Sequence, residues 1–355
     1  MNKSPKDLVR EEVLALTAYH VGEAGGMVKL DAMENPYALP RNLQSEIAQL
    51  VAGAAINRYP NPQAPELKAR LRQAMAIPEA FDILIGNGSD ELIQIIVQGL
   101  ARPGAVVLAP DPTFVMYRIY ALVNRMRYVG VPLAPDFTLD CARLLAAIDE
   151  HQPALVFIAY PNNPTGNLYP EADVLRILQA APGLVVLDEA YHAFAKKSFM
   201  DRLGGHPNLI VMRTLSKVGM AGLRLGYAAG SPAWIGEFDK VRPPYNVNLL
   251  TQLVAERLLV HADVLDAQAA AIRDERGRLK AGLERVPGVT VFASDANFLL
   301  VRVPEAGKVF EGMKARGVLV KNLHGSHPLL TQCLRITVGT AQENTQCLAA
   351  LRASL

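Results

Sequence analysis

Leu184-Val185-Val186-Leu187-Asp188-Glu189-Ala190-Tyr191 is an apolar run that stops on two carboxylates and a phenol. Apolar side chains at every position, rather than at alternate ones, suit a strand covered on both faces. The same pattern recurs on either side of it. Residues 83–85, 105–109, 155–159, 209–212 and 225–228 are further short apolar runs, several followed at once by Gly, Pro or charged residues. Between them lie helical patterns. In residues 89–100, Leu92, Ile93, Ile96, Val97 and Leu100 fall at helical spacing behind Ser89, the expected N-cap. This βαβ rhythm predicts an α/β fold: a mostly parallel central sheet, doubly wound, with helices on both faces.

Arg242-Pro243-Pro244-Tyr245 reads as a break. Beyond it, residues 248–286 predict two helices, and 290–292, 297–303, 318–321 and 334–338 predict shorter strands. The expected organisation is a large domain over 36–245 and a smaller α+β domain over 1–35 and 246–355.

Composition narrows the function classes. The chain has 355 residues, 50% hydrophobic and 20% charged, enough to bury large cores and too apolar for a disordered chain. Its 36 Lys+Arg against 34 Asp+Glu leave a formal net charge of +2, which argues against a nucleic-acid binder. No apolar run approaches the ~20 residues that span a bilayer. Cys141, Cys333 and Cys347 are odd in number and far apart. They suggest neither a disulfide framework nor a zinc cluster, and they fit a reducing, cytoplasmic compartment. The N-terminus carries acids among its bases, unlike a signal peptide.

Four polar constellations sit at the ends of successive predicted strands. Gly86-Asn87-Gly88-Ser89-Asp90-Glu91 opens a helix, where backbone N–H groups and the helix dipole would hold a phosphate. Glu91 stands where a dinucleotide fingerprint needs its third glycine, so NAD is disfavoured. Tyr160-Pro161-Asn162-Asn163-Pro164-Thr165-Gly166 forces a turn that could present an amide to a ligand. Asp188 is either a ligand contact or a helix N-cap. In Arg213-Thr214-Leu215-Ser216-Lys217, followed by Arg224, a desolvated lysine could act as a nucleophilic amine beside phosphate-binding hydroxyls. Each has a plain alternative: a capped turn, an Asx-Pro turn, a cap, a solvated lysine. His324 and His327 are a weak metal cue, and no metal site is expected.

Taken in order, these residues resemble the fold-type I pyridoxal-phosphate enzymes, specifically the class II aminotransferases. More narrowly, the sequence is similar to the histidinol-phosphate aminotransferase family. The similarity lies in Leu30-Asp31-Ala32-Met33-Glu34-Asn35-Pro36-Tyr37, Arg58-Tyr59-Pro60, Leu16-Thr17-Ala18-Tyr19 and Cys333-Leu334-Arg335-Ile336-Thr337-Val338-Gly339-Thr340. The resemblance implies pyridoxal 5′-phosphate as cofactor. It implies amino transfer between L-histidinol phosphate and 2-oxoglutarate in histidine biosynthesis, and a homodimer with a shared active site. It assigns Lys217 as the Schiff-base lysine, with Asp188 and Tyr191 as its catalytic companions. Gly88, Ser89, Asp90, Phe114, Asn163, Thr214, Ser216 and Arg224 become cofactor contacts, with Tyr59 from the partner chain. Tyr19, Asn35, Lys321 and Arg335 become substrate contacts. The sequence departs from the family where Phe114 replaces a tyrosine and Lys321 an arginine, and the Lys217–Arg224 spacing is one residue shorter than usual. Alternatives on the same scaffold are an aromatic or broad-specificity aminotransferase and a threonine-phosphate decarboxylase. A regulatory module fused to a DNA-binding domain would need more residues ahead of the fold than are present.

Overall fold

The computed structural model describes residues 3–18 and 24–355. Its strands are β1 (Val28–Leu30), β2 (Asp82–Gly86), β3 (Val106–Asp111), β4 (Arg127–Pro132), β5 (Leu155–Ala159), β6 (Leu184–Asp188), β7 (Leu209–Thr214), β8 (Gly226–Gly230), β9 (Thr290–Val291), β10 (Phe298–Arg302), β11 (Val318–Asn322) and β12 (Cys333–Thr337). They form two sheets. The larger has the order β2-β8-β7-β6-β5-β3-β4, parallel except where β8 runs against both its neighbours. The smaller has the order β1-β11-β12-β10-β9, with β1 parallel to β11 and the other pairs antiparallel.

The unbroken apolar runs are explained by burial on both faces. In β5 and β6, Leu155, Phe157, Leu184 and Val186 join the core under helices Ser89–Leu100, Val115–Val123 and Pro232–Asp239. Their neighbours Val156, Ile158, Val185 and Leu187 point the other way, under Pro65–Ala74, Cys141–His151 and Glu171–Ala180. The α/β fold with a mostly parallel sheet and helices on both faces is therefore as the sequence predicts. β4 was not predicted. It is the sheet's edge, and its Arg127, Gly130 and Pro132 break up any apolar run.

Two segments differ from expectation. Helix Leu249–Val260, expected in the small domain, packs on Arg41–Ala52 and Pro65–Ala74 and gives Val254, Ala255, Leu258 and Leu259 to the core of the larger sheet. The prolines at 243 and 244 interrupt the helical hydrogen bonding, but Thr251 and Gln252 then tie the new helix back to the carbonyls of Leu223 and Val247. Near the N-terminus, β1 does join the smaller sheet. Helix Glu11–Leu14, however, lies against Val115–Val123 of the larger one, with Glu12 paired to Arg125 at 3.2 Å.

Candidate active site

Because β2, β3, β5, β6 and β7 point the same way, their C-terminal ends share one edge of the sheet, where ligands of such folds bind. A cavity opens there. Ser89, Asp90, Phe114, Tyr117, Asn163, Asp188, Tyr191, Thr214, Ser216, Lys217 and Arg224 line it.

One end is an anion cradle. Gly88, not Ser89, is the N-cap: its φ of +84° is glycine's territory, so Ser89 becomes the helix's first residue and no side chain caps the first turn. A side chain at Gly226 would meet the Ser89 nitrogen at 2.7 Å, and one at Gly88 would meet Arg224 Nη2 at 2.8 Å. The Ser216 hydroxyl accepts from Thr214 Oγ1 (3.0 Å) and from Arg224 Nη1 (3.3 Å), while Arg224 Nη2 donates to Asp90 at 3.3 Å. Arg224 sits at φ +51°, in the left-handed region, at the turn that leads into β8. Uncapped N–H groups, two hydroxyls and a guanidinium are the donor set of a phosphate site, and these residues fit the phosphate of pyridoxal phosphate.

At the other end is Asp188, the last residue of β6 and not a helix cap. Its Oδ1 accepts the Ala190 N–H at 3.1 Å and its Oδ2 accepts the Tyr117 hydroxyl at 2.6 Å. Burial pushes its carboxyl up to about 6, against the lowering effect of those two hydrogen bonds. A buried carboxylate with no cation among these partners suits a ligand that brings a protonated ring nitrogen. Tyr117, stacked on Phe157 at 4.3 Å, went unnoticed in the sequence. The available signal was its place inside the first turn of the helix that Phe114 caps.

Lys217 lies just beyond β7 in a short turn (Ser216–Val218). Its amine donates to the Ala32 carbonyl at 3.1 Å. Burial, then the Arg335 charge, draws it down to about 8. Asn163 and Tyr191 occupy a side wall, where Asn163 Oδ1 accepts from Arg335 Nη1 at 2.6 Å and the Tyr191 ring meets Phe298 edge-on. The fully buried Asn162 beside it pins this wall: it bonds Thr113, the Pro112 carbonyl and Thr165, stapling the loop after β3 to the loop after β5. Beneath Asp188, the buried Glu189 carboxylate takes Arg213, Ser198 and the Phe199 N–H, a satisfied ion pair that fixes this strand end.

The remaining expected residues are elsewhere. Arg335, with Nη2 on the Asp31 carbonyl at 2.9 Å, and Lys321 line a second cavity that shares Met33, Phe114 and Asn163 with the first. Asn35 is absent from the described lining of either cavity. Its amide donates to Gln268 Oε1 at 2.8 Å and accepts from the Tyr37 N–H at 2.9 Å, bonds that shape this segment. Tyr59 is 80% exposed, stacked on Tyr245 at 4.5 Å, and is likewise absent from the described lining. Tyr19 lies outside the described residues. Among the described residues, no group of three or more His, Cys, Asp or Glu is placed to hold a metal, and no helix is long and apolar enough to cross a membrane.

Comparison with known proteins agrees with this geometry. The family described as aminotransferase class I and II matches residues 26–351. The histidinol-phosphate aminotransferase of Chromobacterium violaceum is 56% identical over 352 residues, covering 99% of both chains. Histidinol-phosphate aminotransferase 2 of Burkholderia pseudomallei is 55% identical, again over 99% of each. Among solved structures, histidinol-phosphate aminotransferase from Sinorhizobium meliloti in complex with pyridoxal-5′-phosphate superposes with a TM-score of 0.87 at 27% identity, over 97% of this chain and 96% of that one. With the match spanning nearly the whole sequence and the cavity built as that chemistry requires, this chain belongs to the class I and II aminotransferase family.

Proposed function

We propose that the protein is a histidinol-phosphate aminotransferase, moving an amino group between L-histidinol phosphate and 2-oxoglutarate with pyridoxal 5′-phosphate as cofactor, in histidine biosynthesis. The observation that carries this reading is the end-to-end likeness, at 56% identity, to an aminotransferase of that name.

Pyridoxal phosphate, when bound, supplies an electron sink for the pair left behind as the α-proton departs. The chain's own residues do the rest. The cradle of Ser89, Thr214, Ser216 and Arg224 would hold the phosphate. Asp188, kept in place by Tyr117, would hold positive charge on the ring nitrogen and so favour the electron flow. Asn163 and Tyr191 would hold the ring oxygen. The Lys217 amine, less basic than a solvated lysine, would anchor the aldehyde carbon and would carry the proton from the substrate's α-carbon. Arg335 and Lys321 offer charge to the anionic group of either substrate. Lysine at 321 gives a point charge without arginine's two-pronged geometry, which suits a site that must take both a phosphate and a carboxylate.

We also propose a homodimer with a shared site, in the cytoplasm, and a division into two lobes with the larger continuing to Val260. Support for the dimer comes from Tyr59 and Ile56, large hydrophobic side chains left 80% and 76% exposed. The three buried free cysteines accord with a reducing compartment.

Steady-state kcat/KM on histidinol phosphate, phenylalanine and tyrosine, each with 2-oxoglutarate, tests the function. Histidinol phosphate should lead, and a preference for an aromatic amino acid would overturn the reading.

A further inference from the structure

The second cavity, about 330 Å³, sits at the small end of the usual small-molecule range of ~300–1,000 Å³. Arg118, Lys321 and Arg335 give it three cations. Asp111 is the one carboxylate among its described lining residues. An anionic substrate group pairs with the cations, whereas the lone acid suits a hydrogen-bond donor.

Asp111 is the last residue of β3, and several features hold its carboxylate. Gly130, on the neighbouring β4, leaves the room it occupies: a side chain there would meet Asp111 Cβ and Oδ2 at 3.0 Å. His327, on the connection between β11 and β12, brings Nε2 to 3.3 Å from Asp111 Oδ2. The Leu329 N–H donates to His327 Nδ1 at 3.1 Å, which commits that lone pair and puts the ring proton on Nε2. The Nε2 edge of the ring thus faces the Asp111 carboxylate. A carboxylate offers about four acceptor positions, and one such neighbour leaves others open to a ligand. The pair also links the larger sheet, which holds Asp111, to the connection within the smaller one that holds His327.

We propose that Asp111 is a specificity-determining residue that accepts a hydrogen bond from the ring N–H of an imidazole on the amino donor, and that His327 is its positioning residue. This rests on the histidinol-phosphate reading and deepens it. A phenyl ring of similar size would displace water from the carboxylate's open acceptor positions and supply no donor in its place, which is how a site built for an N–H rejects an analogue lacking one. The His324-Gly325-Ser326-His327 segment, a weak metal cue in the sequence, thereby acquires a different role.

The test measures the two half-reactions of the holoenzyme separately, with histidinol phosphate and with glutamate, which has no imidazole. Asp111→Ala should lower kcat/KM for histidinol phosphate by about ten-fold or more, mainly through KM, and leave the glutamate half-reaction within about two-fold. The calorimetric Kd of an imidazolylpropyl phosphate lacking the amine should rise by a similar factor. His327→Phe should give a smaller loss of the same selectivity, and His327→Gln, which keeps a donor, should recover part of it. Equal losses in both half-reactions would reduce the pair to a tie between sheets and overturn the proposal, as would no loss in either. Wild-type enzyme that ignores histidinol phosphate and turns over an aromatic amino acid would instead defeat the underlying functional reading.

Discussion

The two adjoining cavities are built differently. The first, around Lys217, takes its polar groups from strand ends and one helix N-terminus, and Asp188, Thr214, Ser216 and Asn163 are all nearly buried. The second, around Asp111, draws on the edge of the larger sheet and on a connection in the smaller, and its Arg118, Ser326 and Val115 are exposed. The site around Lys217 is thus the more deeply enclosed of the two, and the site around Asp111 the more open to solvent.

That contrast yields ordered tests. Substitutions in the first cavity should damage both half-reactions alike; Asp111→Ala in the second should damage one. Lys217→Ala should have the largest effect, a loss of about 10³-fold or more in both half-reactions together with the visible absorbance of the loaded enzyme. Near-normal turnover by this variant would break the comparison at its centre. The wild-type lysine can be tested by pH as well. Its amine is protonated below about 8, so uptake of pyridoxal phosphate by the cofactor-free protein should speed up as pH rises, with its midpoint near 8 and not near 10.5. Mixed dimers of Lys217→Ala and Tyr59→Ala chains should regain activity through one intact site; no recovery would remove the shared-site proposal.

Asp188→Asn comes next, with about 10²–10³-fold lost in both half-reactions. In the cofactor-free wild type the carboxyl is neutral below about 6, so cofactor affinity should weaken as pH falls through that value. The asparagine variant should show no such step. Tyr117→Phe should have the smallest effect of the three, a few-fold to ten-fold loss. The phenol's hydrogen bond lowers the Asp188 pKa, so its removal should move the affinity step to higher pH; an unmoved step would show that the phenol only fills space.

The first cavity was also the more legible in sequence. Parallel strands read as unbroken apolar runs, and in such a fold their ends must meet, so Asp188, Asn163 and Lys217 could be placed together before any coordinates. What escaped was set by contacts between distant segments. Tyr117 is defined by reaching Asp188, 71 residues on. Asp111 and His327 face each other only once both sheets are in place. The helix at Leu249–Val260 carries no local mark of which core it enters, because its apolar residues suit either. Ser89 looked like a cap because serine favours that position, but the glycine before it had the conformational freedom the turn demanded.

The short stretch leaving β1 contributes chiefly through its main chain. The carbonyls of Asp31, Ala32 and Met33 accept, in turn, from Arg335, Lys217 and the Asn297 amide. Alanine scanning would pass over all three without a trace, and residue-by-residue comparison of homologues would miss them too, since every amino acid carries the same oxygen. Only an edit to the amide itself, such as an ester linkage in place of a peptide bond, can reveal how much this seam governs the amine's freedom to react.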